Sequence, residues 1–332
     1  MTLYRIAAIC AAVLLTAAPV IANDSTASMR AGGLVLEKTD GIAMLSEDLF
    51  ISAKEIRVKY RFLNHTSEPI VTLVAFPMPD ITGGVEGDLG GWLEDPDHVV
   101  PFITWVNDRA VRTQVEHKAV FNGQDISERL TQLGLPLAPH LDATRAALLA
   151  LPLAVQLELQ GEGLVEIISY GDNDDVDREV HGLWTLKTTH YWEQPFYPGE
   201  EVAIEHLYAP AIGGAAYSML SGNYDTPEGL QVYNEAYCMD DAFVAAARRK
   251  LEAGYYLSET WIDYVLVTGA NWSGPIRDFR LVVDKGSADN LVSFCAEGVT
   301  KISPTQFEVR RSNYTPTRDL SVLIIRGDLI PE

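Results

Sequence analysis

From Ile56 to Phe62 the chain alternates strictly: Ile56, Val58, Tyr60 and Phe62 are apolar, and the residues between them are Arg57, Lys59 and Arg61. Successive side chains of a strand point to opposite faces, so this is a strand with one buried and one wetted face. A more continuously apolar run, Ile70 to Phe76, follows the polar connection Asn64-His65-Thr66-Ser67, and the two runs read together as a hairpin. Short runs of the same kind recur at Gly33–Lys38, Leu49–Ala53, Phe102–Val106, Val111–Phe121, Val165–Tyr170, Leu183–Trp192 and Glu201–Tyr208. Others lie at Tyr264–Thr268, Asp278–Asp284, Leu291–Cys295, Gln306–Arg310 and Leu320–Arg326. So many short strands, punctuated by Gly, Pro, Asn and Asp, predict a mainly β protein of antiparallel, sandwich-like sheets.

Two segments break the period of two. Between about residues 125 and 160 it becomes helical: Ile126, Leu130 and Leu133 share a face, Gly134 and Pro136 end that helix, and Ala143–Leu159 continues as a pair kinked at Pro152. Arg145, Gln156 and Glu158 argue against a membrane anchor there, and the segment reads as a helical insertion packed on a sheet. The second helix belongs to the C-terminal region. Asp240 and Asp241 stand where an N-cap is wanted, Phe243, Ala247 and Leu251 repeat at four-residue spacing, and Arg248-Arg249-Lys250 precede Gly254. A turn-rich stretch at Asn223–Gly229 divides the chain into a β-rich part, 23–228, and a helix-plus-sheet part, 229–332.

The first 22 residues are a secretory leader: Arg5 supplies the basic start, Ile6–Ala18 the apolar run, and Ala22 the small residue before the cleavage point. No run reaches the roughly 18 apolar residues of a transmembrane helix. The chain is therefore expected to be soluble and exported, periplasmic or secreted. Of its three cysteines Cys10 leaves with the leader, so Cys238 and Cys295 are expected to form a disulfide in an oxidising compartment. With 332 residues, 47% apolar, the chain is too apolar for disorder. Its net charge of −21 excludes a nucleic-acid partner, which needs a basic face, and favours cationic partners or divalent ions.

Candidate chemistry is sparse. The Gly-x-Ser-x-Gly, His-Glu-x-x-His, Cys-x-x-Cys and phosphate-loop motifs are missing. The acidic run Asp172–Glu179 resembles a calcium loop only in charge, because Val176 and Asp177 occupy the positions where an EF-hand wants an oxygen ligand and a glycine. Asp80–Asp97 combines glycines with interleaved acids that would repel phosphate, and reads as a surface loop. His190 and His206, with Glu205, are the candidate metal ligands. If Pro198-Gly199 turn a hairpin between paired Tyr197 and Glu200, however, the two imidazoles fall on opposite faces of the ribbon. Trp184, Tyr191, Trp192, Trp261 and Trp272 are the candidate ligand-gripping aromatics, with core packing as the alternative use of the same rings.

Several runs carry a family resemblance: Asn23-Asp24-Ser25-Thr26-Ala27, Gly32-Gly33-Leu34, Thr72–Asp80, Trp192–Gly199, Glu205-His206-Leu207-Tyr208 with Pro210 and Gly213-Gly214, and Gly269–Ile276. Together they resemble a bacterial family of exported proteins known as domain of unknown function 4424. The resemblance implies an exported, β-rich protein and assigns no catalytic residue and no cofactor. The expected role is a non-catalytic binding module for an envelope protein, a glycan or a small ligand. The alternatives are a metal-dependent envelope hydrolase using His190, His206 and Glu205, and a lipid carrier using Ala143–Leu159.

Overall fold

A computed structural model describes residues 23–30, 33–84, 102–169, 178–221 and 226–329. The expected leader, most of the acidic run Asp172–Glu179, most of the glycine-rich stretch Asp80–Asp97 and part of the expected turn at Asn223–Gly229 lie outside the described residues. The fold is mainly β.

Three sheets share one core. The first runs in the order Gln124–Asp125, Gln114–Phe121, Thr185–Phe196, Ile70–Pro77, Ser25–Arg30, Gly33–Glu37, with Ile81–Thr82 paired to the end of Thr185–Phe196. The second has eight strands, Thr300–Lys301, Gln306–Tyr314, Ile276–Asp284, Ile42–Ser52, Ile56–Asn64, Glu201–Tyr208, Phe102–Val106 and Arg109–Val111. All its pairings are antiparallel except one: Ile276–Asp284 lies parallel to Ile42–Ser52. The sheet therefore draws strands from both sides of residue 228. A third sheet orders Ile212–Ala215, Tyr255–Tyr264, Leu320–Leu329 and Leu291–Phe294. Val74 and Trp192 from the first, Val58 and Ile204 from the second, and Ile262 and Val322 from the third meet in a single apolar cluster. The alternation read in Ile56–Phe62 is present as a buried face opposite a wetted one.

The expected hairpin between Ile56–Phe62 and Ile70–Phe76 does not form. The two strands belong to different sheets that face each other, and the same holds for Thr185–Phe196 and Glu201–Tyr208. Each strand has one strongly apolar face, and stacking the sheets buries both faces at once. Both crossings turn at the same end and dock on Asn64. Its wholly buried side-chain amide donates to Glu68 O (2.8 Å) and Phe196 O (2.9 Å), while its backbone carbonyl accepts from Gly199 N (2.9 Å).

The helical insertion comprises α1 (Ser127–Gln132), α2 (Asp142–Ala150) and α3 (Leu153–Gly161), the last two separated at Pro152. Leu130, Leu148 and Leu159 point inward against Trp184 and the small hairpin Val165–Ser169/Arg178–Gly182. Two helices, not one, precede the third sheet's central strand. The expected one is α5 (Asp241–Glu252), where Asp240 accepts from Phe243 N at 2.7 Å. The additional α4 (Pro227–Tyr237) starts at a Thr226 cap with proline as its first residue, and ends at Cys238 in the left-handed region, φ 52°. Cys238 and Cys295 form the disulfide, with Cα atoms 4.9 Å apart.

Candidate functional site

Where Gln114–Phe121 and Thr185–Phe196 of the first sheet face Phe102–Val106 and Arg109–Val111 of the second, the layers enclose a cavity of about 600 Å³. Met78, Ile81, Phe102 and Val111 make its apolar wall, and Arg112, Thr113, Gln114, His117, Thr188 and His190 bring polar atoms to it. Pairing explains the grouping. Thr188 lies directly across from His117 and His190 across from Val115, so positions two apart on neighbouring strands project to the same face. The His117 Nδ1 is 3.0 Å from Thr188 Oγ1 and the His190 Nδ1 is 3.3 Å from Thr113 Oγ1, which fixes both rings. Burial, reinforced by the charges of His206 and His117, holds His190 down to about 3, so it is a neutral imidazole at neutral pH.

Behind the cavity lies a polar cluster inside the core. The Phe102 ring stacks on His190 at 4.1 Å and on His206 at 4.9 Å between centroids. His206 is wholly buried, with Nδ1 3.0 Å from Thr104 Oγ1 and Nε2 3.1 Å from Asp24 Oδ1. Burial raises the Asp24 carboxyl while His206 pulls it the other way, and its Oδ2 is buried without a hydrogen-bond partner among the described residues. Trp272 Nε1 donates to the Asp24 carbonyl (2.5 Å), and Asn271 donates to Ser25 Oγ (3.0 Å). Asn23 accepts from the Tyr60 hydroxyl and donates to Glu47 Oε2 at 3.1 Å. Tyr60 and Tyr264 join their hydroxyls at 3.0 Å. Burial pushes the Glu47 carboxyl up to about 8, against the hydrogen bond from Asn23.

A glutamate enters this core because its strand carries a bulge. Met44 pairs with Phe62 and Ser46 with Arg61, so Leu45 is the extra residue. Before it Ile42 and Met44 face inward; after it Glu47, Leu49 and Ile51 do. An added residue reverses the phase of all that follows it and re-aims the side chains.

The structure disperses the residues singled out from the sequence. His190 and His206 both point into the space between layers, because their strands face each other instead of pairing; the expected placement on opposite ribbon faces is corrected by this pairing. Glu205 turns the other way, to Lys59 at 2.9 Å on the outer face. Among the described residues no three His, Cys, Asp or Glu side chains gather as metal ligands. Trp184, Trp192 and Trp272 are buried in apolar clusters, Trp261 is half-buried with its Nε1 on Glu259 (2.9 Å), and Tyr191 donates to Gln114 (3.0 Å). None of the five lines the cavity, and His190 alone of the predicted residues does. The inward leucines of Ala143–Leu159, Leu148 and Leu159, are packed in the insertion's own core.

Three of the runs that carry the resemblance, Asn23–Ala27, Glu205–Tyr208 and Gly269–Ile276, converge on the buried polar cluster. A family described as "Domain of unknown function (DUF4424)" matches residues 22–323, nearly the whole chain. The chain belongs to this family. No curated protein matches it. Among solved structures it is similar to a candidate nutrient-binding protein from Legionella pneumophila, with 17% identity, a TM-score of 0.43, and coverage of 92% of this chain and 70% of that one. A fainter likeness is to an M1 zinc metallopeptidase from Deinococcus radiodurans, with 11% identity, a TM-score of 0.25, and coverage of 86% of this chain and 43% of that one. At these scores neither likeness bears on the family's function.

The neutral imidazole in the cavity wall has a consequence for stability. The folded state resists protonation of His190, held down to about 3, so the unfolded chain takes up the proton first, near 6.5. Its contribution is thus complete above about 6.5 and is lost as pH falls. Between pH 7 and 5 the unfolding free energy is expected to fall, and His190→Gln should shrink that fall by about 2 kcal/mol. Urea titrations at the two pH values check this; equal falls in wild type and variant would refute it.

Proposed function

We propose that the protein is an exported binding module that holds a small, largely apolar molecule in the cavity between its two large sheets without transforming it. The cavity carries the reading. A volume of about 600 Å³ lies in the range of small-molecule sites, and apolar walls with a few fixed polar groups are the usual build of such sites. Phe102 and His190 offer a stacked ring surface, Thr113, Thr188 and Gln114 offer neutral hydrogen-bonding atoms, and Arg112 adds one positive charge for an anionic end group. Binding without transformation is supported by the site's chemistry: both imidazoles are tied to threonines, and neither abuts a serine, cysteine or carboxylate nucleophile among the described cavity-lining residues. The leader read in residues 1–22 and the Cys238–Cys295 disulfide support an oxidising, extracytoplasmic compartment.

A fluorescent apolar anion, 1-anilinonaphthalene-8-sulfonate, tests the cavity directly. Saturable binding at one molecule per chain is expected. Val115→Trp, at a rim position 42% exposed and so free of core strain, should weaken it at least about tenfold, as should Ala211→Trp. Affinity unchanged in both variants, or no saturable binding in the wild type, would remove the cavity as a site.

A further inference from the structure

The buried polar cluster is incomplete as a set of charges. Glu47 is 1% exposed, and its hydrogen bonds come from neutral groups: the Asn23 amide at 3.1 and 3.3 Å, with Tyr264 also within hydrogen-bonding reach. Among the described residues no basic side chain pairs with it. Asp24 binds His206 through Oδ1, but its Oδ2 is buried with no hydrogen-bond partner among the described residues. Two carboxyl groups thus stand in the core, and His206 pairs with Asp24 alone. Buried carboxylates need counter-charges and donors; unpaired buried acceptors are costly.

Asn23 is placed to supply both. It is wholly buried and held by four polar contacts: Oδ1 accepts from Tyr60 and from Asp24 N (3.0 Å), and Nδ2 donates to Glu47 and, at 3.4 Å, to Leu266 O. Space is cut to fit it. A Cβ on Gly269 would lie 2.9 Å from Asn23 Nδ2. Asn23 touches Glu47 through Nδ2 at 3.1 Å and is buried as a whole residue, so its α-nitrogen belongs to the same enclosed cluster, and Asp24 is the next residue. This is also the residue expected to become the first of the mature chain.

We propose that cleavage between Ala22 and Asn23 is a maturation step of the fold itself: the α-ammonium it creates is the counter-ion of Glu47 and the donor to Asp24 Oδ2. One water is consumed as the amide bond breaks. Ala22 departs as a carboxylate with the leader, and its acid proton passes to the Asn23 nitrogen, giving an ammonium with three donors. Before cleavage that nitrogen is a neutral amide with one donor at most. The core electrostatics therefore close only after export, and the uncleaved precursor carries an uncompensated acid inside its sandwich. The cavity reading does not depend on this step.

The mature chain beginning at Asn23 and a chain with one alanine added before Asn23, each with and without Glu47→Gln, form a double-mutant cycle. The added residue should lower the melting temperature of the wild type by about 5 °C or more, and change the Glu47→Gln protein by less than about 1 °C. Equal shifts in the two backgrounds, or none in either, would overturn the proposal. A second measurement needs no variant: the Asn23 α-amine of the folded, exported protein should be methylated reductively at least about tenfold more slowly than in urea, the equivalent of one pKa unit of protection. An α-amine as reactive when folded as when unfolded, or a mature chain whose mass places its start elsewhere than Asn23, would also overturn it.

Discussion

Truncating His206 to alanine is expected to lower the unfolding free energy by about 3–5 kcal/mol, the range for removing one partner of a buried carboxyl–imidazole hydrogen bond together with a large buried ring. Three losses coincide at this residue. The imidazole is wholly buried and packs on the rings of Phe76, Phe102, Trp192 and Tyr60, at 4.8 to 5.9 Å between centroids, so its removal leaves a hole in a stacked wall. Thr104 loses its partner at 3.0 Å. Asp24 loses the contact at 3.1 Å, the one hydrogen bond its carboxyl accepts among the described residues. His206→Gln retains most of the volume and a donor, and should recover about half of the loss. Urea unfolding at pH 7 measures both; a cost under about 1 kcal/mol for the alanine variant would mean that the carboxyl is indifferent to its partner. Because Phe102 stacks on both His206 and His190, the same truncation should also weaken dye binding in the cavity.

How much of this was legible in the sequence follows from what alternation encodes. Ile56, Val58, Tyr60 and Phe62 announce a half-buried strand, and all four are buried on one face. Alternation says that a face needs cover; it does not say whether the next strand lies beside it or across from it. That is why the connections after Asn64 and Phe196 read as hairpins, although both are crossings between layers. Local signals did better at helices. Asp240, Arg249, Lys250 and Gly254 mark α5 at both ends, whereas Thr226-Pro227 before α4 reads equally well as a turn, since a threonine cap and a first-turn proline are turn residues too.

The site was less legible. The cavity is lined by residues from strands distant in sequence, such as Val111, His117 and Thr188, and only the register between Gln114–Phe121 and Thr185–Phe196 brings them together. No spacing along the chain records that register. His190 drew notice for its chemistry as a metal ligand, and the structure places it in the cavity wall instead. Glu47 escaped notice for a different reason: Ile42 and Met44 have one parity and Leu49 and Ile51 the other, and the bulge at Leu45 that reconciles them is silent in the pattern. The Asn23–Ala27 run is short and polar, and by composition alone looks like an exposed terminus. Its burial comes from partners more than 180 residues away, His206 and Trp272.

Reducing the disulfide is expected to cost about 4 kcal/mol, the chain-entropy value for cysteines 57 residues apart, and to lower the melting temperature by roughly 6 °C. The loss should begin locally. Cys238 ends α4 in a left-handed conformation, φ 52°, which disfavours a non-glycine residue by roughly 1–2 kcal/mol. Besides the disulfide, α4 is tied at this end by Ser293 Oγ donating to Tyr237 O (2.9 Å) and by Arg318 donating to Glu235 O (2.9 Å) and Ala236 O (3.3 Å). The pair α4 and α5 rests on its own apolar cluster, Met239, Phe243 and Ala247 against Leu257, Leu323 and Ile325, separate from the main core. Without the covalent tether, the helices should open before the sandwich does. Calorimetry with and without reductant, or of a Cys238→Ser/Cys295→Ser protein, gives the size of the effect. Limited proteolysis of the reduced protein should cut first within α4 or α5, while the strands flanking the cavity stay protected. A reduced protein melting within about 1 °C of the oxidised one would show that the cluster and the three hydrogen bonds hold the helices unaided.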